Sequence, residues 1–192
     1  MPNPSVDPSS WWAGQPQTEF YQGDIITDLP FWTIMPDLKF LEKRTIATKE
    51  EGSLDVRLES ESPQFDTNKF FHFLGRGKFA PGIMLTHDCE FDNKRDKSVR
   101  AQIARLGDID DLNPDEKTKV MNQRSYSKLV LPSVPTLGKT LYVDFRIQIT
   151  LDTRLLASKP KIASLSDYGR GRLRVGLIYY YFRKEPPADF VS

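Results

Sequence analysis

The sequence predicts a mainly β protein of the α+β class with one or two helices, and three observations support this. Several short runs of branched and aromatic residues follow one another within residues 20–85, which is typical of strands. Residues 140–150 alternate apolar and polar side chains with a strict period of two. Two segments carry helical signals, one beginning near Pro114 and one near Ser166.

Length and composition predict a single domain. The chain has 192 residues, of which 39% are hydrophobic, which is enough for one core. We expect an extended arm at 1–19, the domain at 20–185 and a tail at 186–192. The 27 basic and 26 acidic residues leave a net charge of +1, which argues against a polybasic nucleic-acid binder. The single cysteine excludes an internal disulfide. With no long apolar run and no secretory signal, we expect a cytoplasmic protein without a membrane span.

The N-terminal arm is marked by prolines, which block regular structure: Pro2, Pro4, Pro8 and Pro16. Trp11 and Trp12 lie within it. Their rings fit two interpretations, which the sequence leaves open. They fold back onto the sheet as an anchor, or they dock a protein partner.

Strands are expected through the first half of the chain. Residues 23–26 open a strand that Pro30 is expected to break. Residues 82–86 form a nearly continuous apolar run, which predicts a central strand buried on both faces. Further strands are predicted at 39–48, 53–58, 69–74 and 128–131.

The polar stretch at about 90–127 resembles an insertion, with a strand at 99–106 inside it. Asn113 followed by Pro114 and Glu116 is a helix start signal and predicts a short helix over 114–124. In the alternating run 140–150, we expect Asp144 and Arg146 on the solvent face.

A C-terminal helix is predicted over 166–183. Its apolar stripe consists of Leu173, Leu177, Tyr180 and Tyr181. Three glycines weaken this helix, and 178–182 fits a strand as an alternative. Pro186 and Pro187 follow it.

A run of reactive side chains, His87-Asp88-Cys89-Glu90, directly follows the predicted central strand. Cys89 is a candidate nucleophile beside an imidazole, or simply a small buried residue. His72, His87 and Cys89 with a carboxylate would make a zinc site, but no spacing in the sequence demands one. We therefore predict no metal and no cofactor.

Basic residues occur in two further places. The segment 75–78 is expected to be a hairpin turn whose Arg76 and Lys78 are either solvated or contact an anion. Residues 151–192 carry 8 basic against 4 acidic side chains, and Arg170 and Arg174 share a helix face. If Arg146 lies on the same side, these arginines form a nucleic-acid contact surface. Otherwise they are solvated surface.

The order of these segments resembles a known family. Gly23-Asp24-Ile25-Ile26 opens the domain, and 75–86 runs through glycine, a basic residue, proline, an apolar strand and threonine. An arginine-containing strand and a closing helix come later. In this order the chain resembles the PemK/MazF-like toxins. It is still more similar to uncharacterised bacterial and phage proteins with a Ser/Thr-x-Asp/Thr-Cys-Asp/Glu stretch, matched by 86–90. The resemblance covers about half of the chain.

That resemblance implies an SH3-like β-barrel with a C-terminal helix and an inserted segment at about 90–127. It also implies a toxin of a toxin–antitoxin pair that forms a homodimer and cleaves single-stranded RNA without a metal. Lys78 or Arg76 would stabilise negative charge on phosphorus. Thr86 would position the phosphate, and Asp88 or His87 would be the acid or base.

Two alternatives stand beside this hypothesis. One is a non-catalytic phage- or defence-associated module that binds a protein through the Trp11-Trp12 arm. The other is a cysteine- or metal-dependent enzyme that uses His87, Asp88 and Cys89.

Overall fold

The computed structural model describes residues 7–14, 19–33, 40–41, 58–59, 72–73, 76–87 and 100–184. The chain divides into two compact units, one of Met1–Phe31 with Phe79–Ser192 and one of Trp32–Lys78. The predicted strands at 39–48, 53–58 and 69–74 lie mostly outside the described residues.

The described strands are β1 (Asp24–Thr33), β2 (Phe40–Leu41), β3 (Leu58–Glu59), β4 (His72–Phe73), β5 (Arg76–Met84), β6 (Arg100–Asp108), β7 (Lys128–Val134), β8 (Lys139–Asp152) and β9 (Lys161–Ser164). The helices are α1 (Pro114–Met121), α2 (Thr153–Leu156) and α3 (Asp167–Phe182), with 3-10 turns at Pro8–Trp11 and Ile109–Asp111. None of the helices in the described part of the chain is long and apolar enough to cross a membrane.

Six strands form the main sheet, in the order β7-β8-β6-β5-β1-β9. Every pairing in it with a defined register is antiparallel. The predicted α+β class is confirmed. Within the described residues the sheet is open, because its edge strands β7 and β9 are not paired with each other. Separately, in the second unit, β2 pairs with β3 and β4 in a small antiparallel sheet.

Strand β1 runs through Pro30 without a break, so the predicted interruption is wrong. Proline lacks a backbone N–H and is tolerated where no neighbouring strand needs one. The neighbouring β9 pairs only with residues 24–26 of β1, so this edge has no β9 partner at Pro30. A break in regularity occurs instead at Asp28, which has a φ of 56°.

The stretch expected to be an insertion contains a central strand. Strand β6 lies between β5 and β8, and its Ile103 and Ala104 are completely buried, one in each of two core clusters. Its side chains alternate between the two faces of the sheet. Charged residues that follow it belong to the Ile109–Asp111 turn and to α1.

Helix α1 begins where its sequence signal predicts. Asn113 caps it by accepting a hydrogen bond from the N–H of Glu116 at 2.9 Å, and Pro114 takes the first helical position. The helix ends at Met121, and Gln123 follows with a φ of 55°. It packs on the sheet through Val120, which is fully buried beside Val130.

Strand β8 contains a bulge between Asp144 and Gln148. These residues face Arg105 and Ala104, which are neighbours in β6, so residues 145–147 of β8 have no counterpart. An odd number of extra residues moves the following side chains to the opposite face. Apolar residues on the two sides of the bulge therefore belong to different core clusters: Leu141, Val143 and Phe145 to one, Ile149 and Leu151 to the other. The prediction of one buried face along 140–150 is wrong.

Helix α3 forms as predicted, which rules out the alternative strand at 178–182. Its Leu173 is fully buried in the cluster that contains Phe145, and Leu177 and Tyr180 pack against that cluster. We call the face of the sheet beneath these residues the α3 face. Tyr181 does not belong to the buried stripe, because it is 63% exposed.

The described part of the N-terminal arm, residues 7–14, packs onto this same unit. Trp11 is 4% exposed and lies in the core beneath α3, and Trp12 forms a β-bridge with Leu165. The indole N–H of Trp12 donates to the carbonyl oxygen of Pro132 at 2.9 Å. Of the two interpretations, the structure supports the anchor.

Candidate functional site

An open cleft of about 490 Å³ lies on the α3 face, and four elements contribute to it. Its polar and aromatic lining consists of Thr86 and His87 after β5, Arg100 and Gln102 of β6, Thr150 of β8 and Tyr181 of α3. Most of these side chains are exposed. The cleft thus collects a guanidinium, an imidazole, hydroxyls, a carboxamide and a phenol.

Thr86 and His87 are placed by hydrogen bonds that extend the sheet beyond β5. The N–H of Leu85 donates to the carbonyl oxygen of Gln102 at 2.8 Å. The hydroxyl oxygen of Thr86 accepts from the N–H of Gln102 at 2.7 Å, where a backbone carbonyl would normally do so. Thr86 is buried, whereas His87 is exposed at the mouth of the cleft.

Gln22 fixes the same segment from the other side. Its side-chain Nε2 donates to the carbonyl oxygen of Leu85 at 2.7 Å, and its Oε1 accepts from Nε of Arg174 at 2.6 Å. Gln22 is 4% exposed, so its hydrogen bond to Leu85 is shielded from water, whereas Arg174 is exposed. It links α3 to the backbone that carries Thr86. Sequence analysis did not identify Gln22, since an isolated glutamine has no motif around it.

Arg100 lies at the start of β6 and is exposed. Asp152 faces it across the β6–β8 ladder but is paired with Arg154, whose guanidinium contacts it at 2.6 Å. The side-chain hydrogen bond from Arg154 lowers the pKa of Asp152 to about 2. The charge of Arg100 also acts on Asp152 and lowers this pKa further, but the hydrogen bonds of the carboxylate come from Arg154, and the Arg100 side chain remains exposed to an anion from solvent.

The carboxamide of Gln102 belongs to a relay along the α3 face. Its Nε2 donates to Oε1 of Gln148 at 2.5 Å, and Nε2 of Gln148 donates to the carbonyl oxygen of Phe145 at 2.5 Å. The Phe145 carbonyl belongs to the bulge of β8. The bulge therefore provides the acceptor that ends the relay.

The arginines predicted to bind nucleic acid lie in three different settings. Arg174 donates a hydrogen bond to Gln22 beside the cleft. Arg170 pairs with Asp167 and lines a second pocket near the start of α3. Arg146 makes two 2.9 Å hydrogen bonds to Asp144, a carboxylate that is 1% exposed. The expectation that Asp144 faces solvent is wrong, because this carboxylate is buried and binds the guanidinium of Arg146 instead of water.

Burial and hydrogen bonding act in opposite directions on Asp144. Burial raises its pKa, but the side-chain and backbone hydrogen bonds from Arg146 outweigh this and hold the pKa of Asp144 below its ordinary value. The same side-chain hydrogen bond raises the pKa of Arg146. Arg146 therefore forms a structural ion pair with Asp144.

The remaining predicted site residues lie in the second unit or outside the described residues. Arg76 and Lys78 belong to the second unit, where they begin β5 rather than form the expected hairpin turn. Lys78 is exposed. Asp88 and Cys89 lie outside the described residues, so the thiol hypothesis stays a prediction. Within the described part of the chain, no three His, Cys, Asp or Glu side chains are grouped as a metal site.

No protein-family model and no curated protein sequence matches this chain.

Proposed function

We propose that the protein binds single-stranded RNA in this cleft and cleaves it, as a PemK/MazF-like endoribonuclease would. The observation that carries the proposal is that an arginine, an imidazole and an exposed tyrosine share one cleft. Arg100, His87 and Tyr181 come from three separate segments, so their convergence is a product of the fold.

The phosphate backbone of RNA requires cations that are open to solvent. Arg100 is exposed, and although its charge acts on Asp152 across the ladder, that carboxylate is hydrogen-bonded to Arg154. A guanidinium binds two phosphate oxygens through parallel hydrogen bonds. With a chain net charge of +1, attraction comes from such local sites and not from the whole molecule.

An unpaired base needs an aromatic surface on which to stack. The ring of Tyr181 is 63% exposed and Leu177 lies one helical turn before it in the same wall of the cleft. Base stacking on an aromatic side chain contributes about 1–3 kcal/mol per base. Duplexes hold their bases stacked together, so this arrangement favours single strands.

The chemistry that suits these groups is attack of a ribose 2′-hydroxyl on the adjacent phosphorus. The new bond closes a 2′,3′-cyclic phosphate, and the bond from phosphorus to the 5′-oxygen breaks. His87 lies in the cleft and would act as the acid or the base, and the motif at 86–90 suggests Asp88, which lies outside the described residues, as its partner. One of the two takes the 2′-hydroxyl proton and the other donates a proton to the leaving 5′-oxygen. Arg100 would stabilise the charge that develops on the phosphoryl oxygens, and the hydroxyl of Thr86 would orient them.

Kinship with the PemK/MazF-like proteins is part of this proposal, including a barrel of their SH3-like type. The sequence motifs at 23–26, 75–86 and 86–90 support it. In that scheme Lys78 or Arg76 supplies the charge-stabilising cation, whereas the cleft offers Arg100. Comparing Lys78→Ala with Arg100→Ala separates the two assignments.

The test is incubation of the purified protein with labelled single-stranded RNA in EDTA. We expect cleavage to products with a 2′,3′-cyclic phosphate and a 5′-hydroxyl. His87→Ala should lose at least about 100-fold in rate, in the range of general acid catalysis. RNA with 2′-O-methyl groups should be bound but not cut.

Matched variants outside the cleft control for the general effects of losing a positive charge or a tyrosine ring. Arg124→Ala makes the same charge change as Arg100→Ala at an exposed site beyond α1, and Tyr126→Leu matches Tyr181→Leu. Binding without cleavage by the wild type would leave a non-catalytic RNA-binding module. Absence of both binding and cleavage would overturn the proposal.

A further inference from the structure

We infer that Gln102, oriented by Gln148, reads the edge of an adenine base in the cleft. This inference rests on the proposed function, because it names the base that the RNA-binding cleft prefers. It assigns a specificity-determining role to Gln102 and a positioning role to Gln148. Neither residue belongs to a sequence motif.

The relay fixes which way each carboxamide points. The carbonyl oxygen of Phe145 can only accept, so Gln148 must turn its NH₂ group toward it, at 2.5 Å. The Oε1 of Gln148 is then turned toward Gln102, whose NH₂ group donates to it at 2.5 Å. A side-chain amide can otherwise flip by 180°, which exchanges its donor and its acceptor.

With this orientation Gln102 has an Oε1 acceptor and a second N–H donor for a ligand. Its side chain is exposed and lines the cleft beside Thr86. A glutamine amide pairs bidentately with the N6 amino group and N7 of adenine. In single-stranded RNA that edge is accessible when the ring is stacked on an aromatic side chain. Tyr181 supplies such a ring in the same cleft.

The main chain of Gln102 is also held in place. The N–H of Gln102 is held by Thr86 and its carbonyl oxygen by the N–H of Leu85, so its main chain cannot shift without breaking two hydrogen bonds. A fixed main chain and a fixed amide reduce the entropy that base binding must overcome.

The experiment compares the affinities of the full chain for oligo(A), oligo(U), oligo(C) and a mixed-sequence RNA by fluorescence anisotropy. We expect oligo(A) to bind about tenfold more tightly than oligo(U), as one good bidentate pair would give. Gln102→Ala should reduce this ratio to about one. An oligomer of 7-deazaadenosine, which lacks N7, should bind the wild type as weakly as oligo(U).

Gln148→Leu tests the positioning role. It leaves the Gln102 side chain in place but removes the acceptor that orients it, so the preference for oligo(A) should fall while the affinity for mixed RNA is retained. Asn122→Ala removes an exposed carboxamide outside the cleft and should preserve the preference. Circular dichroism checks that each variant is folded.

The outcomes separate this inference from the function on which it rests. Binding of mixed RNA that depends on Arg100 but shows no preference for oligo(A) would overturn the base-reading role alone. A preference that survives Gln102→Ala would overturn it too. Failure of the wild type to bind any RNA would overturn both.

Discussion

The hydroxyl oxygen of Thr86 accepts a hydrogen bond from the backbone N–H of Gln102 at 2.7 Å. This bond continues the pairing of β5 with β6 after the backbone of β5 has turned away. It joins the segment that carries His87 to the strand that carries Arg100, so it holds the two sides of the cleft together.

Thr86→Val should therefore destabilise the protein by about 1–2 kcal/mol, because it keeps the shape of the side chain but leaves the Gln102 N–H without its acceptor. Thr86→Ser keeps the hydroxyl and should stay close to the wild type. Urea denaturation measures both. Equal stability of the two variants would contradict this role for the hydroxyl.

Acid should destabilise the fold in part through Asp144. Because its pKa is lowered in the folded protein, Asp144 contributes stability that is fully present above the ordinary pKa of a carboxyl, about 4. That contribution is lost as the pH falls through the folded-state value. The free energy of unfolding of the wild type should therefore fall below about pH 5 more steeply than that of Asp144→Asn.

Urea denaturation across this pH range measures the difference in slope. Asp115→Asn makes the same change of charge at an exposed position of α1 and serves as the control. At pH 7, Asp144→Asn should lower the free energy of unfolding by about 1–3 kcal/mol. The same pH dependence in the wild type and in Asp144→Asn would mean that the Arg146 ion pair has no part in acid sensitivity.

Gly107 faces Tyr142 across the β6–β8 ladder, and a Cβ atom there would lie 2.5 Å from the tyrosine ring. Gly107→Ala should therefore cost about 1–3 kcal/mol of stability through overpacking. Combining it with Tyr142→Leu should recover part of the loss, as a negative coupling in a double-mutant cycle.

Gly171 provides the contrasting case within α3. Beyond its chain neighbours and the backbone of its own helix, no atom of the described residues lies within 4 Å of the position that its Cβ would occupy, so Gly171→Ala adds helix propensity without a clash. We expect a gain of about 0.5–1 kcal/mol. Thermal denaturation of both glycine variants distinguishes the crowded site from the open one, and a loss at Gly171 would contradict the packing described for α3.

Trp11 tests the anchoring of the N-terminal arm. The ring packs edge-on against Tyr168 with centroids 5.8 Å apart, and a Cβ at Gly169 would lie 2.5 Å from the Trp11 carbonyl oxygen. Trp11→Ala should cost about 3–5 kcal/mol of stability, typical of a buried large aromatic residue. Unchanged stability would instead favour the interpretation that the arm binds a protein partner.

Sequence patterns identified the elements whose signals are local. The cap at Asn113 predicts α1, the apolar spacing of Leu173 and Leu177 predicts α3, and the apolar run at 82–86 predicts the buried end of β5. Strand β9 has four residues and no periodic signal of its own, and it forms because it pairs with the start of β1. Its position could not be predicted from propensity alone.

The bulge in β8 shows a second kind of limit. The sequence of 140–150 alternates perfectly, yet the ladder with β6 skips residues 145–147 and exchanges the two faces. Register depends on the partner strand and not on the pattern of one strand. The relay through Gln148 depends on that bulge, so it was equally invisible in the sequence.

The site was predicted in part. His87 was identified because reactive side chains follow a buried strand, and Thr86 was named only through the family resemblance. Arg100, Gln102 and Tyr181 were missed as site residues, because each is a single residue that becomes meaningful only when distant segments meet. Of the arginines predicted to contact nucleic acid, Arg146 and Arg170 each pair with a neighbouring carboxylate, which the sequence did not indicate.

The measurement that tests the central claim most directly is the affinity of the wild type, Arg100→Ala and Arg124→Ala for single-stranded RNA over a range of salt concentrations. We predict that Arg100→Ala weakens binding and lowers the slope of log affinity against log salt concentration by about one, as expected for the loss of one phosphate contact. Arg124→Ala should leave both the affinity and the slope unchanged. Equal affinities for all three proteins, or no binding by the wild type, would show that this cleft is not an RNA site.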